Sequence, residues 1–371
     1  MSNEFNHKDY GEYFKNLEKQ LDKRENPSPA EQKPQAQTTQ KRGVYKVIRL
    51  RKSVLAIMLG LVIIITSAAV ASGFKGKAEK QENGSEKGGA ETTDKNEDRV
   101  PEIHFTFPSG ETPDILSTND AKCAIIVNSN NNTVVAARNP HQRAYPASTT
   151  KIMTLLVAAE TLTDLNDTFT MTYEITDPLY VAEASVAGFL DGEEVSINDL
   201  LYGTILPSGA DAAMGIAIKL AGSEKAFVKL MNKRVEELGL ENTCFDNVTG
   251  LHSENNYSSA YDMAVILRAA MENPLCRQVL SSYQHTTAQT PQNPNGILLS
   301  STLFSYMYGT EPETATILGG KTGFVNESGY CIASFGKANS SGTEYIVVTL
   351  ANSARWPAFY GQIDLYKSFA S

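Results

Sequence analysis

The sequence predicts an α+β domain of two lobes, in which an all-helical lobe is inserted into one antiparallel sheet, and a single transmembrane helix ahead of it. Two observations predict the domain: strand-like segments lie at both ends of residues 115–371, and helical segments fill the chain between them. A third observation predicts the transmembrane helix, because no charged residue occurs between Ser53 and Phe74. We expect a cleft between the lobes, where ligand sites usually form.

The composition is that of a folded, acidic protein. Of 371 residues, 41% are hydrophobic, which is enough for a sizeable core and excludes wholesale disorder. The 33 basic and 42 acidic residues give a net charge of −9, so we expect no nucleic-acid partner. Four cysteines are too few for a disulfide scaffold, and five histidines without metal-ligand spacing indicate no metal site. The chemistry should therefore come from hydroxyls, lysines and carboxylates.

Residues 54–74 are predicted to form a transmembrane signal anchor. The uncharged stretch 53–74 would span about 33 Å as a helix, at roughly 1.5 Å per residue, which is enough to cross a bilayer. The polar tail 1–53 ends in basic residues, so the positive-inside rule places it in the cytoplasm and the following domain outside the cell membrane. A cleaved signal peptide is the alternative, because Ala69-Val70-Ala71 is typical of a cleavage site, although the preceding tail is long for a signal peptide.

Residues 75–114 are predicted to be a flexible linker, and the folded domain is expected at 115–371. The stretch 75–100 contains one valine and no aromatic residue, so it has too little apolar surface to fold. The domain should open with a hairpin of strands 124–127 and 133–138, which flank an Asn-rich turn.

Helices and further strands follow along the domain. Apolar periodicity and capping residues predict helices at 149–162, 210–220, 223–238 and 259–271, with one more starting at Ser196. The end of the chain should add strands at 316–318, 329–335 and 344–350 and a terminal helix at 356–369.

Ser148 and Lys151 are the first candidates for catalysis. Residues three apart on a helix lie on one face, so the two side chains can form a hydrogen bond. A serine hydroxyl becomes a good nucleophile only when a base removes its proton, and a buried lysine can be such a base because burial lowers its pKa. A Ser-x-x-Lys motif also occurs by chance, and serine is a common helix N-cap.

Two further motifs carry polar residues, one just before a predicted helix and one within a predicted strand. Ser208 precedes the buried helix at 210–220, where it could be an active hydroxyl or simply an N-cap. The run 319–323 (GGKTG) places paired glycines beside Lys-Thr in a strand, which suggests close approach of a ligand. A phosphate-binding loop is excluded here, because it needs a glycine at the position occupied by Ala315.

Together, the three motifs resemble those of the penicillin-recognising serine enzymes. Longer stretches are similar to the serine-type D-alanyl-D-alanine carboxypeptidases, the low-molecular-mass penicillin-binding proteins. These stretches are 145–154 (YPASTTKIMT), 199–203 (DLLYG), 249–252 (TGLH), 257–262 (YSSAYD) and 320–324 (GKTGF). The resemblance spans roughly 115–371 and implies a penicillin-binding/β-lactamase-like fold.

The resemblance also implies a role for each matching residue. Ser148 would be the acylated nucleophile, Lys151 its general base, and Ser208 the relay of a proton to the leaving amine. Lys321 and Thr322 would bind the terminal carboxylate of the substrate. The third motif continues with Gly323 and Phe324, and the backbone N–H groups of Ser148 and Phe324 would form the oxyanion hole.

The function implied is that of a membrane-anchored D,D-carboxypeptidase without metal or cofactor. It would remove the terminal D-alanine of peptidoglycan stem peptides through an acyl-enzyme and would be inhibited by β-lactams such as penicillin. One departure is Ala210, which stands where the family usually has an asparagine whose amide holds a substrate carbonyl.

That departure keeps one alternative open, a catalytically weakened penicillin-binding protein that senses the cell wall. A β-lactamase is a second alternative, in which the nearest candidate for its deacylating glutamate is Glu237.

Overall fold

The computed structural model of the protein describes residues 103–110, 112–115 and 119–370. The expected cytoplasmic tail, the expected transmembrane anchor at 54–74 and most of the expected linker lie outside these residues. Within the described part of the chain, no helix has the length and apolar character needed to cross a membrane.

One antiparallel sheet of five strands organises the domain, with strand order β2-β1-β9-β8-β7. Its strands are β1 (Cys123–Asn128), β2 (Thr133–Arg138), β7 (Ala315–Val325), β8 (Gly329–Ala338) and β9 (Glu344–Asn352). Two small sheets pair β3 (Thr168–Thr170) with β4 (Glu194–Ser196) and β5 (Gln284–Thr286) with β6 (Leu298–Ser300). Since β1 pairs directly with β9, distant chain segments build one sheet, as predicted.

The helices fill the chain between β2 and β7 and follow β9. They are α1 (Lys151–Thr161), α2 (Tyr173–Val181), α3 (Ile197–Ile205), α4 (Ala210–Ala221), α5 (Glu224–Glu237), α6 (Ala260–Glu272), α7 (Pro274–Leu280), α8 (Thr302–Met307) and α9 (Arg355–Phe369). Serine hydroxyls cap three of the predicted helices: Ser196, Ser223 and Ser259 each accept the backbone N–H three residues on. The sequence did not predict α2, α7 or α8, since α2 contains Pro178 and the other two are short.

Both faces of the sheet are buried, and successive residues of its central strands serve different cores. Ile125 of β1 and Val348 of β9 pack with the inserted helices, whereas Ile126 and Val347 pack with the face that α9 covers. Each of these four side chains is fully buried. A strand covered on both faces is apolar at every position, which explains the continuous hydrophobic runs in the sequence.

The packed domain begins upstream of residue 115, which is the position that the sequence predicted as its start. Ile103 and Phe105 are buried in the core beside the helical lobe. Thr106 forms a parallel bridge with Thr133 at the edge of the sheet. The linker prediction is therefore wrong for residues 103–106, because two apolar side chains and pairing with β2 hold this short segment on the domain.

Candidate active site

Ser148 lies in a single 3₁₀ turn, Ala147–Thr150, that leads directly into α1. Ala147 adopts a left-handed conformation, with φ of 47°, where the chain turns into the helix. The backbone N–H and the hydroxyl of Thr149 both donate to the carbonyl oxygen of Pro146, at 3.2 and 2.6 Å. These bonds hold the turn that presents Ser148 at the start of a helix, as the sequence predicted.

Lys151 is the first residue of α1 and points back to the serine. Its Nζ lies 3.2 Å from Ser148 Oγ and donates at 2.5 Å to the backbone carbonyl of Thr249. Its side chain is 2% exposed, and burial lowers the pKa of Lys151 to about 7, while the charge of Asp211 acts in the opposite direction. A substantial fraction of the lysine is therefore neutral near pH 7 and able to accept a proton.

A turn at 249–250 completes this part of the site. Gly250 has a φ of +76°, and a Cβ on it would collide with the carbonyl of Ala147 in the nucleophile turn. Only glycine allows this approach, which in turn brings the Thr249 carbonyl to the lysine. This contact gives a physical reason for the Thr-Gly pair in the stretch 249–252.

Lys321 and Thr322 lie on β7, one of the two edge strands of the sheet. Lys321 is 1% exposed, and its pKa lies well below the ordinary value because of burial and, next, the nearby charge of Lys151. Its Nζ donates to the Thr322 carbonyl at 2.8 Å, and the Thr322 and Thr302 hydroxyls are 2.7 Å apart. Lys321 is therefore buried behind the residues that line the cleft, and Thr322 is one of the residues that line it.

A cleft with two parts joins these elements. The smaller part, of about 220 Å³, is lined by predicted site residues from all three motifs, namely Ser148, Ser208, Thr322, Gly323 and Phe324. The larger part, of about 510 Å³, is lined by Ser148, Lys151 and Phe324 together with residues such as Ala210 and Thr249. The structure therefore brings together the site residues that the three motifs predicted, with Lys321 immediately behind.

Ser208 is not an N-cap. Gly209 occupies the N-cap position of α4, and no side chain caps this helix. Ser208 has a φ of 68°, a strained conformation for a non-glycine residue, and is buried in the cleft wall. Strained residues concentrate at functional sites, and the position fits the predicted catalytic role better than a capping role.

Two more residues contribute to the site, and one of them, Arg355, carried no signal in the sequence. Arg355, the first residue of α9, lines the smaller part of the cleft, and its guanidinium lies 5.1 Å from the centre of the Tyr306 ring. Asp211 accepts hydrogen bonds from the backbone N–H groups of Ala187 and Gly188, at 2.7 and 3.0 Å. Arg355 lies in no motif. Asp211 ends the Ser-x-x-Asp motif at 208–211, but its bonds to residues 187 and 188 depend on a segment that the motif does not include.

Glu237, the candidate glutamate for a β-lactamase, is engaged elsewhere. It ends α5 and forms ion pairs with Lys233 and Arg234, each at 3.2 Å. It lines neither part of the cleft. The structure thus gives no support to a deacylation mechanism through Glu237.

The fold and the cleft define a class, that of the penicillin-binding DD-peptidases. The DD-transpeptidase of Streptomyces K15 superposes with a TM-score of 0.58 and 28% identity, over 70% of this chain and 99% of that one. Penicillin binding protein 5 from Haemophilus influenzae superposes with a TM-score of 0.61 and 27% identity, over 70% of this chain and 72% of that one.

The sequence profile of the D-alanyl-D-alanine carboxypeptidases matches residues 110–354, and the chain belongs to this family. It is 33% identical over 224 residues to the carboxypeptidase DacF of Bacillus subtilis, covering 59% of this chain and 54% of that protein. It is 30% identical over 270 residues to the D-alanyl-D-alanine carboxypeptidase of Streptomyces sp. strain K15, covering 67% of this chain and 87% of that protein. The chain thus spans about half the length of relatives such as DacF.

Proposed function

We propose that the protein is a membrane-anchored serine D,D-carboxypeptidase that removes the terminal D-alanine of peptidoglycan stem peptides. One observation carries the proposal: Lys151 Nζ lies 3.2 Å from Ser148 Oγ, and the pKa of Lys151 is lowered to about 7. A nucleophile and a base at hydrogen-bonding distance, with the base partly neutral at physiological pH, are what acyl transfer requires. Family membership supports the substrate, a peptide ending in D-Ala-D-Ala.

Acylation begins when the neutral amine of Lys151 takes the proton of the Ser148 hydroxyl. Ser148 Oγ then forms a bond to the carbonyl carbon of the penultimate D-alanine, and the carbonyl oxygen becomes an oxyanion. The backbone N–H groups of Ser148 and Phe324 stabilise that oxyanion. The close packing of Gly323 against the nucleophile turn supports this arrangement, because it brings β7 next to Ser148.

The tetrahedral intermediate collapses by breaking the C–N bond, and the electron pair goes to the amine of the leaving D-alanine. That amine takes a proton from the Lys151 ammonium through the hydroxyl of Ser208, which lines the cleft beside Ser148. Water then attacks the ester carbon after giving a proton to Lys151. The bond between that carbon and Ser148 Oγ then breaks, its electron pair goes to Oγ, and Oγ takes the proton from Lys151 as the shortened peptide leaves.

The smaller part of the cleft is suited to the terminal carboxylate of the substrate. Thr322 and Thr302 supply hydroxyl groups, and Arg355 supplies a permanent positive charge. The lowered pKa of Lys321 disfavours its charged form, and a bound carboxylate nearby would raise that pKa again. Substrate binding and protonation of Lys321 are therefore coupled.

Covalent labelling with a fluorescent penicillin tests the proposal. The full-length protein in membranes should be labelled at Ser148, and both Ser148→Ala and Lys151→Ala should abolish labelling. Ser341→Ala, at an exposed turn between β8 and β9, should be labelled like the wild type. Labelling of Ser148→Ala would remove Ser148 from the mechanism.

Release of D-alanine separates the enzyme from a catalytically weakened penicillin-binding protein, the alternative that Ala210 favours. An enzyme releases D-alanine from a D-Ala-D-Ala peptide over many turnovers. A protein that only binds and senses the cell wall is labelled by penicillin but releases little D-alanine.

The membrane placement rests on the uncharged segment 53–74 and on the basic residues before it. We propose a single-pass protein with the catalytic domain outside the cell membrane. Protease added to intact protoplasts should then digest the domain and spare the N-terminal tail. Protection of the catalytic domain would contradict this topology.

A further inference from the structure

The wall formed by the start of α4 lacks a side-chain donor where the substrate backbone must pass. Ala210 lines the larger part of the cleft and presents only a methyl group there. Its backbone N–H is already used, since it donates at 2.8 Å to the carbonyl of Ser185. A substrate carbonyl that loses water on entering the cleft needs a donor, because an unpaired polar group weakens binding.

Ser185 stands directly beside this gap. Its main chain is held against Ala210 by that hydrogen bond. Ser185 lines both parts of the cleft, as do Ser148 and Phe324. Its side chain is exposed, and within the described part of the chain its hydroxyl has no hydrogen-bond partner.

The segment that carries Ser185 is fixed on both sides. Before it, the N–H of Ala184 donates at 3.0 Å to the carbonyl of Leu179 in α2. After it, the N–H groups of Ala187 and Gly188 donate to the buried carboxylate of Asp211. The main chain at Ser185 is therefore held in place before substrate arrives, so that only the side-chain rotamer has to be fixed when the hydroxyl is used.

We propose that the Ser185 hydroxyl donates a hydrogen bond to the substrate, at the peptide carbonyl that precedes the penultimate D-alanine. This inference rests on the proposed function. The terminal carboxylate occupies the smaller part with Thr322 and Arg355, so the acyl side of the substrate extends past Ser148 into the larger part. Ser185, which lines both parts, is next to that path. Its hydroxyl supplies the hydrogen-bond donor that an amide side chain at position 210 would supply.

Three single variants of the full-length protein test the proposal with a D-Ala-D-Ala peptide. Ser185→Ala should lower kcat/KM about five- to tenfold, the usual effect of losing one neutral hydrogen bond, with an unchanged melting temperature. Ser185→Thr keeps a hydroxyl and should retain most of the activity. Val186→Ala is the matched control, because it shortens the neighbouring exposed side chain and should leave kcat/KM unchanged.

The double variant Ser185→Ala/Ala210→Asn gives a readout that a purely structural role would not produce. The asparagine amide should restore kcat/KM toward the wild-type value, because it supplies a donor to the same carbonyl. If the wild type is active and Ser185→Ala is equally active, the role of Ser185 is overturned and the proposed function stands. A wild type that neither reacts with penicillin nor releases D-alanine would overturn the proposed function and this inference together.

Discussion

Gly323 of β7 packs directly against the backbone of Ser148. A Cβ on Gly323 would stand 2.8 Å from the Ser148 backbone nitrogen and 3.0 Å from the carbonyl oxygen of Pro146. The edge of the sheet and the nucleophile turn are therefore in contact, and a larger residue cannot occupy this position without moving one of them. This contact gives a physical reason for the glycine that follows Lys321-Thr322.

Gly323→Ala should impair acylation more than stability. The added methyl must displace either β7 or the turn that holds Ser148, and overpacking of this kind costs about 1–3 kcal/mol. We expect the rate constant for acylation by penicillin to fall at least about tenfold, since small displacements of reacting groups have large kinetic effects. Stopped-flow acylation and thermal unfolding measure the two effects. Normal acylation would show that the site tolerates the displacement.

Acylation should depend on pH through Lys151. The lysine acts as a base only when neutral, and its pKa is about 7, so acylation should fall as pH decreases below about 7 and level off above it. The decrease should approach tenfold for each pH unit at low pH. The rate constant for penicillin acylation between pH 5 and 9 tests this. A rate constant that still rises about tenfold for each pH unit up to pH 9 would indicate a lysine with its ordinary pKa.

Asp211→Asn should move that pH profile to lower pH. The negative charge of Asp211 raises the pKa of Lys151, so its removal lowers the pKa and the midpoint shifts downward. The amide also loses an acceptor for the backbone N–H groups of Ala187 and Gly188, which should lower stability by about 1–3 kcal/mol. Denaturant unfolding and the acylation profile measure both effects. A midpoint that shifts upward would contradict the assigned electrostatic role.

Arg355→Ala should weaken activity on substrates with a free terminal carboxylate. A charge-assisted hydrogen bond contributes about 1.5–3 kcal/mol, so kcat/KM should fall about ten- to a hundredfold. Arg355→Lys keeps the charge but loses the planar guanidinium that lies over Tyr306, and it should be intermediate. A substrate amidated at its C-terminus should show little difference between wild type and variant. Equal losses on both substrates would indicate a structural role for Arg355.

Much of the fold could be predicted from local patterns. The apolar run after the Asn-rich turn predicted β2 with its observed bounds, and the capping pattern at Ser196 predicted the start of α3. Residues 103–106 were misjudged because their burial depends on a partner strand. A short apolar segment in a polar stretch carries no sign of that partner.

The sequence by itself determined the pairing of Ser148 with Lys151. Their separation of three residues at a helix start brings the two side chains together through local geometry alone. Only the tertiary structure decided that Thr249, Asp211 and Arg355 join them. Their contacts link segments far apart in the chain, and such contacts depend on how the sheet and the helices pack. The tertiary structure also decided the lowered pKa of Lys151, because burial causes it and burial exists only in the folded domain.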